Sequence, residues 1–240
     1  MLRIFTSYRN RPEFYQDFIK HYRKFFPKAF IYILEQADNA LFQRGQLMNV
    51  AFQNLMQKMG TLDVLLFVDV DIRMLSPIDF EGLVKQYRTV VIPFNELILY
   101  HLDPEGVYIP DTKPSYFLNT PDGGVTLFTK GVFEACNGFS NLYRGWGKED
   151  SDFVRRNKIT RVPNSMIHLE HVRFGEWNTD AHRRNGRIFD LALNPNKDGY
   201  RQTKAKFTMK QIEDSVFHCQ IWNIDVVPKY EYRKEWRSIQ

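Results

Sequence analysis

Three short clusters carry residues whose types and spacing could do chemistry. Asp69-Val70-Asp71 offers two carboxylates whose hard oxygens suit Mg²⁺ or Mn²⁺, and such an ion can be held against a diphosphate. The pattern alone says little, because sixteen aspartates in 240 residues produce about one Asp-x-Asp by chance, and Asp150-Ser151-Asp152 is a second instance. Position separates the two. The first follows the apolar run Leu65-Leu66-Phe67-Val68, so its carboxylates emerge at the end of a buried strand, where unused charge is costly. The plain alternative for Asp71 is a strand-end turn.

Gly145-Trp146-Gly147-Lys148-Glu149-Asp150 is the second cluster. A tryptophan between two glycines is a flat surface on a hinge, and the carboxylates behind it could take a proton from a hydroxyl group. Read locally, an aromatic loop running into a helix with an acidic N-terminus describes it better. The third cluster, Met166-Ile167-His168-Leu169-Glu170-His171, holds the only close histidine pair, and neutral imidazole could complete a metal shell. A structural role for each histidine is the ordinary alternative.

The elements that must position these clusters read as α/β. Leu2 to Thr6 is a short buried strand. Pro12 to Phe25 has Phe14, Phe18, Tyr22 and Phe25 at helical spacing. Phe30 to Leu34 is a second strand. Gln46 to Met59 is a helix with Leu47, Val50, Ala51, Leu55 and Met59 on one side, and Val64 to Val68 is a third strand. This β-α-β-α-β order with continuous apolar strands argues for a parallel sheet covered on both faces, with ligands beyond the strand C-termini. Val90 to Pro93 is a fourth strand, Phe94 to Leu118 a long loop, Gly123 to Phe128 a strand, Gly138 to Gly147 a loop and Asp150 to Arg156 a helix start. The last forty residues are the least readable.

A chain of this length with 43% hydrophobic residues can bury one large core. The formal charge of +5 favours anionic ligands or an anionic membrane face, and no basic run or stacking motif points to nucleic acid. Two cysteines, Cys136 and Cys219, form neither a metal pair nor a disulfide scaffold, which suits a reducing compartment. The start of the chain enters a strand directly, and no segment has bilayer length, so the expected location is cytoplasmic, with peripheral contact at the inner membrane face.

Taken in order, Tyr8-Arg9-Asn10-Arg11, Phe42-Gln43-Arg44-Gly45-Gln46-Leu47-Met48-Asn49-Val50-Ala51-Phe52, Phe67-Val68-Asp69-Val70-Asp71, Gly123-Gly124-Val125 and Gly145-Trp146-Gly147-Lys148-Glu149-Asp150 resemble the motifs of the β-1,4-galactosyltransferases. The chain is thus similar to glycosyltransferase family 7, including its xylosylprotein galactosyltransferase branch and bacterial relatives. Five motifs in one order are far more specific than any one of them. The resemblance implies a GT-A nucleotide-diphospho-sugar transferase fold with a mixed, mostly parallel sheet covered by helices. Residues 1–190 would form the catalytic domain, with a donor half over about 1–95 and an acceptor half over about 115–190. Residues 191–240 would be an extension packed on it. It further implies a Mn²⁺-dependent (or Mg²⁺-dependent) inverting transfer of a galactosyl-type sugar from a UDP-sugar to a glycan or lipid-linked acceptor. Arg9, Arg11, Phe42, Arg44, Asp69, Val70, Gly124 and Trp146 would form the donor side. Asp71 would ligate the metal, Glu149 would hold the acceptor and Asp150 would be the base.

Three positions depart from the family pattern. Pro121-Asp122 stands where the family has a donor-selecting tyrosine, so UDP-GalNAc and UDP-GlcNAc stay open as donors. The Met-x-x-His ligand pair is not matched, since Leu169 lies three places after Met166. The His-Leu-His segment of the xylosylprotein branch is similar to His168-Leu169-Glu170-His171, which favours His171 as metal ligand with His168 as the alternate. The disulfides of the animal enzymes have no counterpart here. A sugar-nucleotide-binding relative that has lost turnover is the alternative from another class, and joint retention of Asp71, Glu149 and Asp150 counts against it.

Overall fold

The computed structural model describes residues 1–9, 12–100, 116–119, 122–145, 147–169, 180–190 and 198–226. Elements are numbered in chain order. The strands are β1 (Leu2–Tyr8), β2 (Phe30–Gln36), β3 (Val64–Val68), β4 (Ile72–Met74), β5 (Val90–Ile92), β6 (Glu96–Tyr100), β7 (Tyr116–Asn119), β8 (Val125–Thr129), β9 (Ile159–Arg161), β10 (Ser165–Leu169), β11 (Thr203–Glu213) and β12 (Val216–Val226). The helices are α1 (Pro12–Phe25), α2 (Arg44–Leu55), α3 (Phe80–Tyr87), α4 (Lys130–Ala135), α5 (Glu149–Arg156) and α6 (Asp180–Asp190).

β3 shows why the centre of the sheet forms. All five of its residues are buried. Leu66 and Val68 join the core on one face, and Leu65 and Phe67 the core on the other, as the two-residue period of a strand requires. The first face is closed by Phe14, Phe18, Ile19 and Tyr22 of α1, and the second by Leu47, Val50, Phe52 and Leu55 of α2. Phe67 packs edge-on against Phe5, Phe128 and Phe133, which stiffens the strand that delivers Asp69 and Asp71.

The main sheet runs β11-β12-β2-β1-β3-β8-β5-β9. Its β2-β1-β3 centre is parallel, as the β-α-β-α-β order predicts. β8 breaks the pattern by pairing antiparallel with both β3 and β5, so the sheet is mixed. The β11–β12 hairpin joins at the other edge, where β12 runs parallel to β2. A second sheet, β4-β10-β6-β7, starts where β3 ends.

Two expectations need correction. The expected loop from Phe94 to Leu118 contains β6 and β7, with residues 101–115 outside the described set. β6 was obscured because the proline-, aspartate- and tyrosine-rich composition around it reads as turn chemistry, while its pairing with β10 is a tertiary event. The second helix starts at Arg44 and ends at Leu55, followed by a 3₁₀ turn over Met56–Lys58, and ten of its twelve residues are buried. It is enclosed all round, so the one-sided pattern expected of it is absent.

Candidate active site

At the C-terminal end of β3 the chain makes a tight turn. The Ile72 N–H donates to the Asp69 carbonyl at 3.0 Å, and the Asp69 N–H donates to the Gly124 carbonyl at 2.9 Å. Val70 is 2% exposed and its carbonyl accepts from Arg73 at 2.8 Å, so the residue anchors the turn in the core and can offer a ligand little beyond backbone. Gly124 has φ +90°, and a Cβ there would meet Ile72 Cδ1 at 2.6 Å; only glycine fits the strand start that faces this turn.

Asp71 is 3% exposed, and its carbonyl accepts from the Leu169 N–H at 2.8 Å. Because β10 runs antiparallel to β4 with His168 opposite Ile72, His168 Nε2 comes to 3.7 Å from Asp71 Oδ1. A carboxylate and an imidazole converging at a strand end form a mixed oxygen and nitrogen donor set that suits Mn²⁺. Among the described residues no third His, Cys, Asp or Glu joins them to make a three-ligand group, and His171 lies outside those residues.

Arg44, at the first position of α2, links the strand end to α5. Its Nε lies 2.5 Å from Asp69 Oδ1 and its Nη1 2.5 Å from Asp150 Oδ1. Burial weakens a guanidinium's hold on its proton, but Asp150, Asp69 and Glu149 outweigh that and raise its affinity. Read as a donor-side residue, Arg44 has two of its three nitrogens committed to protein carboxylates.

α5 begins at Glu149, after Lys148 in the left-handed region at φ 77°. Burial pushes the Glu149 carboxyl well above the usual carboxylate range, with the Asp150 charge adding and Arg44 opposing. Asp150 shifts the same way, by burial first, then with Asp69 and Asp122 adding against Arg44. Gly123 makes room for this carboxylate: a Cβ there would meet Asp150 Oδ2 at 2.4 Å. The second Asp-x-Asp is divided between two tasks, since Asp152 is buried and pairs with Arg155 at 3.0 Å and Arg156 at 2.8 Å.

Two more of the expected donor-side residues meet beside this cluster. The Arg9 guanidinium stands 5.6 Å over the Phe42 ring, and the Phe42 carbonyl accepts from the Gly145 N–H at 2.7 Å. Arg11 and Trp146 lie outside the described residues. The sequence reading missed the polar residues that hold the loop before Gly145. Gln46 donates to the carbonyls of Asn141 and Tyr143, each at 2.7 Å, and Asn49 donates to Phe139 O at 2.7 Å and Asn141 Oδ1 at 2.9 Å. The signal was present as amides at fully buried positions inside an apolar helix.

A mixed sheet with a parallel centre, an Asp-x-Asp turn at the end of a central strand and an acidic helix start facing it define the GT-A architecture, the fold class of nucleotide-diphospho-sugar transferases. Comparison with known proteins narrows the class. A family model described as the N-terminal region of glycosyl transferase group 7 matches residues 2–79, and one described as the N-terminal domain of galactosyltransferase matches residues 106–174. Together they cover more than half of the chain, which belongs to glycosyltransferase family 7. Human β-1,4-galactosyltransferase 7 is 31% identical over 164 residues, covering 65% of this chain and 43% of the relative. β-1,4-Galactosyltransferase 2 of Cricetulus griseus is 34% identical over 181 residues, covering 75% and 43%. The chain therefore spans less than half the length of these relatives. Among solved structures, a mutant Drosophila β-1,4-galactosyltransferase 7 in complex with manganese, UDP-Gal and xylobiose aligns with a TM-score of 0.64 at 22% identity, over 97% of this chain and 96% of that one. GalNAc-T7 with UDP, GalNAc and Mn²⁺ aligns with a TM-score of 0.55 at 12% identity, over 84% and 49%.

Proposed function

We propose that this chain is a metal-dependent, inverting glycosyltransferase that moves a galactosyl residue from UDP-galactose to a hydroxyl of a glycan acceptor. The observation that carries the reading is Asp150. Its carboxylate is oriented by Arg44 Nη1 at 2.5 Å, and its proton affinity is raised by burial above that of an ordinary aspartate. A carboxylate that is both fixed and more basic than usual is suited to take a proton from an attacking hydroxyl.

Asp150 would accept the acceptor's hydroxyl proton as that oxygen bonds to the anomeric carbon. The bond from that carbon to the UDP oxygen breaks on the opposite face, which inverts the centre in one displacement. Glu149, one residue earlier on α5, would hold the acceptor. Arg9 and Phe42 would take the uridine end of the donor, and Asp69 its ribose. Asp71 with His168 or His171 would hold Mn²⁺, or Mg²⁺ in its place, and when bound the ion neutralises charge on the departing diphosphate. The Trp146 loop would close over the donor and exclude water. The manganese and UDP-Gal in the Drosophila complex support the choice of metal and donor, and its xylobiose supports a glycan acceptor. A growing surface glycan or a lipid-linked sugar, met at the cytoplasmic face of a membrane, suits a chain of charge +5. Among the described residues no helix is long and apolar enough to cross a membrane.

The test is UDP release from UDP-galactose with Mn²⁺ and a panel of sugar acceptors. Release that depends on both metal and acceptor is the expected result, and binding of Mn-UDP without release from any UDP-hexose would leave a sugar-nucleotide-binding protein instead.

A further inference from the structure

Arg144 closes the loop ahead of Gly145, and Arg184 sits on α6. Asn185 ties the two elements together, donating from Nδ2 to the Arg144 carbonyl at 3.1 Å and to the Gly147 carbonyl at 3.0 Å. Arg184 Nη2 donates to the Arg144 carbonyl at 3.3 Å, which sets the Arg184 guanidinium against the Arg144 backbone and within reach of the Arg144 charge. Both are half-buried, and among the described residues the Nε of each is enclosed without a hydrogen-bond partner.

Other arginines around the sheet are answered by acids: Arg3 by Asp63, Arg44 by Asp69 and Asp150, Arg73 by Asp17, Arg156 by Asp152 and Arg161 by Asp122. Among the described residues no carboxylate pairs with Arg144 or Arg184. Burial and the neighbouring Arg144 charge both lower the Arg184 affinity for its proton, the signature of two cations crowded without a counter-charge. Guanidinium forks with unfilled donors are suited to an oxyanion. Arg144 stands on the loop that leads through Gly147 to Glu149, and α6, which carries Arg184, packs on that loop, with His182 3.0 Å and Ala181 2.9 Å from where side chains on Gly147 and Gly145 would begin.

We infer that Arg144 and Arg184 form an oxyanion subsite for the acceptor, so that the preferred acceptor carries a carboxylate or a phosphate near the hydroxyl that receives the sugar. The inference rests on the proposed function for the identity of the ligand. It does not rest on it for the anion site itself.

Three matched sugars test it: methyl glucoside, methyl glucuronoside and methyl glucoside 6-phosphate, which share a ring and differ at one carbon. Binding to the Mn-UDP-loaded protein is read by saturation-transfer NMR, and UDP release by initial rates with UDP-galactose. At least one anionic sugar should bind about 10-fold or more tightly than the neutral one, and which of the two does so separates a uronate from a phosphorylated acceptor. Arg184→Gln and Arg144→Gln should each remove that preference while the neutral sugar and UDP bind within about twofold of wild type; Arg184→Lys should keep part of it. Thermal unfolding checks that the variants are folded. Equal binding of all three sugars overturns the inference, and so does loss of UDP affinity in the variants, which gives the pair to the donor. An anion preference without UDP release from any acceptor upholds the subsite and removes the proposed transfer.

Discussion

Asp150 Oδ1 lies 2.5 Å from Arg44 Nη1, although 106 residues separate the two in the chain. The contact joins the start of α5 to the start of α2, and through Arg44 Nε it reaches Asp69 at the end of β3. Three elements therefore fix one carboxylate. Asp150→Asn keeps the shape of the side chain and removes the base. Transfer should fall by about 10²- to 10⁴-fold, while Mn-UDP affinity moves by less than about threefold. Parallel calorimetry and initial-rate assays read both, and near wild-type transfer would pass the role to Glu149.

Asp71→Ala should act on the other step. Removing the buried carboxylate that faces His168 should abolish both Mn-dependent UDP binding and transfer, and EDTA should reproduce the loss in wild type. Calorimetry that gives one UDP affinity in EDTA and in Mn²⁺ would remove Asp71 as a ligand.

Arg44→Met should unfold the protein more readily. It leaves Asp69 and Asp150 facing each other without a cation, and breaking a buried pair by removing one partner costs about 3–5 kcal/mol. Adding Asp150→Asn should return part of that loss. Urea unfolding of the single and double variants measures it, and a double variant less stable than the single one would show that repulsion is not the cause.

Gly123→Ala should injure catalysis more than folding. Its Cβ would fall 2.4 Å from Asp150 Oδ2, so the carboxylate must swing away from Arg44. The expected result is transfer lowered by about 10-fold or more with UDP affinity retained. Unchanged transfer would mean that the orientation of Asp150 is not required.

His21 should make stability depend on acidity. Its Nε2 accepts the Met74 N–H at 3.0 Å, which needs the neutral ring. Burial, then Arg73, lower its pKa to about 4, with Asp17 opposing. The folded value lies below the unfolded one of about 6.5, so this contribution is present in full above pH 6.5 and is lost as pH falls toward 4. After discounting for partial exposure it is about 1–2 kcal/mol. Urea unfolding at pH 7, 5.5 and 4 should show that dependence in wild type and a weaker one in His21→Gln, whose amide oxygen can still accept. Identical dependence in both would exclude His21.

The β1-α1-β2-α2-β3 half was legible because its signals are local: continuous apolar strands, Phe18 and Tyr22 one helical turn apart, and a carboxylate pair directly after Val68. Asp69, Asp71, Glu149 and Asp150 could be chosen by residue type, position and motif order for the same reason. β4, β6 and β7 could not be read, since a three-residue strand has no measurable period and β6 exists by pairing with β10, some seventy residues on in register. The hairpin β11–β12 was likewise hidden, because its two strands are defined by their pairing with each other and with β2.

What the sequence determined by itself was the chemistry available: which carboxylates, arginines and histidines exist, and that two of the acids follow a buried strand. Only the tertiary structure decided how they are used. It set Arg44 between Asp69 and Asp150, faced His168 toward Asp71, gave Asp152 to Arg155 and Arg156, and left Arg144 and Arg184 without a carboxylate among the described residues. The reason is physical. Charge pairing and desolvation depend on distance and burial in three dimensions, and neither quantity is carried by the spacing of residues along a chain.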